Sequence, residues 1–95
     1  MEHYLDVSAL MAPEPLTRTL AASEALRAGE YLHMYHRMQP CHLFAQLDLR
    51  GFAYAMRSRA QGYYSVFIWR RSDPTAAAAS EAARALPELT LRRAS

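Results

Sequence analysis

The sequence contains no lysine: all eleven basic residues are arginine, against nine acids, for a formal net charge of +2. Residues 1–71 carry eight of those arginines and six acids, and the tail balances three against three. Arg18, Arg27, Arg37, Arg50, Arg57, Arg59, Arg70 and Arg71 are scattered instead of gathered on one segment. A nucleic-acid partner needs a concentrated basic surface, so none is expected. Cysteine is nearly absent too. The single Cys41 excludes an internal disulfide and agrees with a reducing compartment. No apolar run approaches the ~20 residues of a membrane helix, and the N-terminus lacks the basic-then-apolar pattern of a signal peptide. The expectation is a cytoplasmic chain with no membrane partner. Three glycines leave no room for a glycine-rich nucleotide fingerprint, and neither a P-loop nor a Ser-His-Asp set is recognisable. An autonomous enzyme, catalytic residues and a cofactor are therefore not expected.

What is present is organised around residues 5–16, where a short apolar strand runs into a helix opening with Pro13 and Pro15. Proline costs little in a first helical turn, whose N–H groups have no intrahelical partner, and Glu14 suits the positive end of the dipole. Leu16, Leu20 and Leu26 then recur at helical spacing until Gly29. Residues 3–7 read as a first strand, 13–27 as a helix, and 31–36, rich in aromatics, as a second strand. Pro40 opens a second helix with Leu43, Phe44 and Leu47 as its stripe, and Gly51 fits its C′ position. Residues 52–59 and 63–71 form a hairpin across Ala60, Gln61 and Gly62. The order is βαβαββ. A right-handed crossover makes the first two strands parallel, giving an α/β two-layer sandwich: a four-stranded mixed sheet with two helices on one face. Beyond this domain of residues 1–71, residues 72–95 read as an appendage. Asp73, Pro74 and Thr75 start an alanine-rich helix to about Leu86, Pro87 ends it, and a mobile end follows.

Leu5, Asp6, Leu10, Pro13, Pro15, Gly29 and Glu30 match the pattern Leu-Asp-x-x-Gly-Leu-x-Cys-Pro-x-Pro, helix, Gly-Glu. In these positions the chain resembles the TusA/SirA-like sulfur carriers. It departs from them at Ala9, where they have glycine, and at Ala12, where they have the sulfur-carrying cysteine. The later run His36, Arg37, Pro40, Leu43, Phe44, Leu47, then Arg50-Gly51-Phe52 and Ile68-Trp69-Arg70, resembles the cysteine-free branch, domain-of-unknown-function family 2249. The resemblance covers residues 3–71 and implies the fold just described. It implies no settled activity, and alanine cannot carry sulfur.

Ligands of such sheets bind beyond the carboxyl ends of parallel strands. That rim gathers Ala12, Pro13, Glu14 and Pro15 with His36, Arg37, Pro40, Cys41 and His42. Cys41 stands at a helix start beside His42, where a dipole favours thiolate, so it is either a small buried hydrophobe or a relocated sulfur thiol. His36, Cys41 and His42 are ordinary metal donors, but their spacing fits no strong template and no metal is assigned. His3 and His33 read as sheet-surface residues, and Asp6 as a turn hydrogen-bond acceptor. Strand alternation points Leu5, Val7, Leu32, Met34, Val66 and Ile68 toward the two helices. It turns Tyr4, Tyr31, His33, Tyr35, Tyr63, Phe67 and Trp69 to a face those helices leave open. Exposed aromatics mark interfaces, so a protein partner or homodimer is expected there, the alternative being that the tail helix folds back over it. The expected function is a binding or accessory module in redox or sulfur metabolism. The alternative is a persulfide carrier using Cys41.

Overall fold

The computed structural model describes residues 2–38 and 40–85. Its elements are β1 (Glu2–Asp6), α1 (Glu14–Glu24), β2 (Tyr31–His36), α2 (Cys41–Leu49), β3 (Phe52–Ser58), β4 (Tyr64–Arg70) and α3 (Pro74–Arg84). The sheet runs β1-β2-β4-β3, with β1 and β2 parallel and β4 antiparallel to both its neighbours. The βαβαββ order expected from the sequence is thus the order observed. A parallel pair cannot be closed by a hairpin, and α1 is the crossover that joins β1 to β2. The hairpin turn of Ala60–Gly62 holds Gln61 and Gly62 at φ 63° and 77°, and Arg59 N–H closes it on Tyr63 O at 2.7 Å.

Between the sheet and the α1/α2 layer lies the main core: Val7, Leu26, Leu32, Met34, Leu43, Leu47, Phe52, Val66 and Ile68. α1 ends at Glu24, short of the expected residue 27, and a side chain from the sheet caps the carbonyls at its end. Arg70 donates to Glu24 O at 2.8 Å and to Leu26 O at 3.2 Å, and its guanidinium lies over the Phe52 ring at 5.1 Å. A cation at the carbonyl end of a helix is favoured by the dipole. The chain then turns at Gly29, whose φ of +80° belongs to glycine.

On the opposite face the structure follows the alternative read from the sequence, a tail helix folded over the aromatics, and not the open surface. The phase is as expected, with His33 opposite Phe67 and Tyr35 opposite Ser65 on the side away from Leu32, Met34, Val66 and Ile68. That face is covered. α3 lies across β2 and β4, and Ala79 and Ala83, like Trp69, pack on Tyr31 and Phe67. Phe67 and His33 are buried with Tyr31, Tyr35, Tyr63 and Trp69 are half-buried, and only Tyr4 is exposed. His33 is therefore no surface residue, and a third helix lies outside the two-layer plan. Short alanine side chains let a helix backbone approach large rings closely, which is why a segment of low apolar content can close an aromatic face. Asp73 fastens the start of α3, one oxygen accepting from Ala76 N–H at 3.0 Å and the other from Gly29 N–H at 2.7 Å. At its other end Arg57 donates to Arg84 O at 2.8 Å, and Arg84 lies over Trp69 at 5.3 Å. Expectations for residues 86–95, including the helix stop at Pro87 and the mobile end, fall outside the described residues.

Phe67 is 0% exposed, so Phe67→Ala should cost about 3–5 kcal/mol in denaturant unfolding. A cost below about 1 kcal/mol, the scale of a surface change, would mean that α3 does not seat on this ring.

Candidate functional site

The parallel strands deliver both crossover helices to one rim, where the chain leaves β1 for α1 and β2 for α2. A pocket of about 290 Å³ opens there, between the two helix starts. Of the rim residues read from the sequence, Ala12, Pro13, Pro15, His36, Arg37, Pro40, Cys41 and His42 all line it. Glu14 does not; its carboxylate turns along α1 to accept from Arg18 Nε at 2.9 Å. Leu10, Leu16, Met34, Met38 and Leu43 complete the wall. The part of Leu16, Met34 and Leu43 was hidden in the sequence because these residues read as the apolar stripes facing the core. Cys41 is exposed at the first position of α2. Asp6 is the turn acceptor expected, its Oδ1 taking Ser8 N–H at 2.9 Å and Ser8 Oγ–H at 2.6 Å. His36, Cys41 and His42 share the wall, but no group of three or more His, Cys, Asp or Glu among the described residues is placed to hold a metal ion.

Strand β2 carries a second histidine in a different state. His33 Nδ1 lies 2.9 Å from Glu2 Oε2, and its Nε2 lies 2.9 Å from Ser65 Oγ. The carboxylate can only accept, so Nδ1 carries the proton, and the neutral ring accepts from the Ser65 hydroxyl. Arg59 donates to the same hydroxyl oxygen at 2.6 Å, and Phe67 stacks on the imidazole with centroids 4.4 Å apart. Glu2, His33 and Ser65 thus have the connectivity of an acid-base-nucleophile set, which sequence reasoning missed because its members are 31 and 32 residues apart. Ser65 is 0% and His33 1% exposed, so no substrate reaches them. The set is a satisfied structural network.

The family described as "Uncharacterized conserved protein (DUF2249)" matches residues 4–70. The chain belongs to the DUF2249 family. No curated protein and no solved structure matches it. In this DUF2249 chain the match spans the pocket and both histidines, and it stops before α3.

His36 of this DUF2249 domain is the counter-example to His33. It is 7% exposed, lines the pocket, and its buried Nδ1 has no hydrogen-bond partner among the described residues. Burial pushes its pKa below the ordinary imidazole value and the Arg37 charge adds to this, while Asp6 offsets part. Burial also lowers His33, with Glu2 opposing. A buried polar atom left unpaired costs free energy; Thr19 Oγ1 in α1 is the other such atom among the described residues. No helix among the described residues is long and apolar enough to cross a membrane.

Two substitutions separate the histidines. His36→Leu removes an unpaired polar group and should leave stability unchanged or raise it, by up to about 1–3 kcal/mol. His33→Leu removes both ring hydrogen bonds, with Glu2 and with Ser65, and should destabilise by at least about 1 kcal/mol. Both rings have lowered pKa values, so the unfolded chain binds more protons, and stability present near neutrality is lost as pH falls below about 6.5. Thermal melts across that range should show the fall in the parent and a shallower one in His36→Leu. Equal slopes would contradict a buried neutral His36.

Proposed function

We propose that this DUF2249 chain is a binding module whose rim pocket receives a small molecule or a side chain of a protein partner. Its role is accessory, in redox or sulfur metabolism. The observation that carries this reading is the contrast within one strand: His33 has both ring nitrogens bonded, and His36, on the pocket wall, has its buried Nδ1 unpaired. The βαβαββ order and the helix opening with Pro13 and Pro15 are what the chain shares with the sulfur carriers that its sequence resembles. Ala12 lines the pocket where the resemblance puts their thiol, so the relay chemistry has no sulfur at that position while the pocket is present. Self-association through the aromatic face loses support, because α3 occupies that face at Tyr31 and Phe67.

One observation favours a second reading. Cys41 is exposed on the wall of the same pocket, at the first position of α2, where a persulfide carrier would need its thiol. Intact mass after incubation with a cysteine desulfurase and cysteine separates the two. One added sulfur, lost in Cys41→Ser, would favour the carrier.

For the binding reading, non-denaturing mass spectrometry of the chain isolated from its native host should show a bound small molecule or partner. Ala12→Trp, which fills the pocket from an exposed position, should abolish it while circular dichroism stays native. Retention of the bound species by Ala12→Trp would place binding elsewhere.

A further inference from the structure

We infer that the rim pocket takes a small apolar monocarboxylate, its carbon body against Leu10, Leu16, Met34 and Leu43 and its carboxylate toward Arg37. The inference rests on reading the pocket as a binding site and adds the chemical class of the ligand. Size comes first. At about 290 Å³ the pocket lies at the small end of ligand sites, which run from roughly 300 to 1,000 Å³, so its occupant is fragment-sized. Its wall is built mainly from aliphatic, proline and methionine side chains, which select a carbon body.

Charge decides the head group. No aspartate or glutamate lines the pocket, and Glu14, the nearest in sequence to the wall prolines, is engaged by Arg18 at 2.9 Å. Arg37 is the arginine of the wall, exposed and drawn toward the β1–α1 connection by its Nη2, which donates to Leu10 O at 3.4 Å. The start of α1 is a poor anion site, since Pro15 has no N–H and Glu14 is negative. α2 begins with Cys41 and His42 on the wall and no acid in its first turn, so its positive dipole end is uncompensated. A cationic ligand would meet Arg37 and that dipole, and a dianion would need more than one cation. A single carboxylate matches what is present.

The test titrates the full chain with hexanoate, hexanol, hexylamine and inorganic phosphate by calorimetry, with backbone amide shifts locating each ligand. Hexanoate should bind at least about tenfold more tightly than hexanol, the scale of one charge-assisted hydrogen bond, and shift Met34, Cys41 and Leu43. Arg37→Gln should remove that preference and leave hexanol binding intact. Hexanol or hexylamine binding as well as hexanoate, at the same amides, would overturn the carboxylate and keep the pocket. Phosphate outcompeting hexanoate there would likewise overturn the apolar acid. No shift at these amides with any probe would overturn the pocket reading itself.

Discussion

Strand β2 is buried on both faces, and the rest of the chain is arranged to make that tolerable. Of its six residues only Tyr35 is partly open. A strand in this position must satisfy its backbone through neighbours on both sides and its side chains through layers above and below. β1 and β4 supply the first. α1 and α2 cover Leu32 and Met34, and α3 covers the Tyr31 side. The β3–β4 hairpin follows from the same demand, since it inserts β4 beside β2 and leaves β3 as the edge.

Burial on both faces forces each polar residue of β2 to find a partner or stand as an exception. His33 has Glu2 from β1 and Ser65 from β4, the strands that flank it. His36, at the strand's carboxyl end, lies where the sheet gives way to the rim pocket, and its Nδ1 remains unpaired. An unpaired buried group lowers stability, and Thr19 Oγ1 in α1, away from the pocket, is in the same state. The family match includes this rim and excludes α3, so the pocket is part of the shared domain and the aromatic cover lies beyond the matched region.

Much of this was legible in the sequence, and the parts that were not share a cause. Alternation in residues 31–36 and 63–71 fixed which side chains face α1 and α2, and prolines 13, 15 and 40 marked the helix starts that converge on the rim. Asp73 was readable as a cap because capping is local. That α3 covers the aromatic face was legible only as the alternative to a partner, because nothing in an alanine-rich segment announces that its small side chains fit against Tyr31 and Phe67. The state of either histidine was not legible. Whether an imidazole is satisfied depends on register across strands, and His33 meets Glu2 and Ser65 only once β1, β2 and β4 are aligned.

The central claim is that β2 holds one histidine for structure and one for a ligand. Long-range proton–nitrogen correlation spectra of the two imidazoles near neutral pH, with the rim pocket empty and then filled, address it directly. The account predicts His33 locked as the Nδ1–H tautomer in both states, and His36 ring nitrogens that shift only when the pocket is filled. A His36 ring indifferent to pocket occupancy, or a His33 ring that responds to it, would contradict the account.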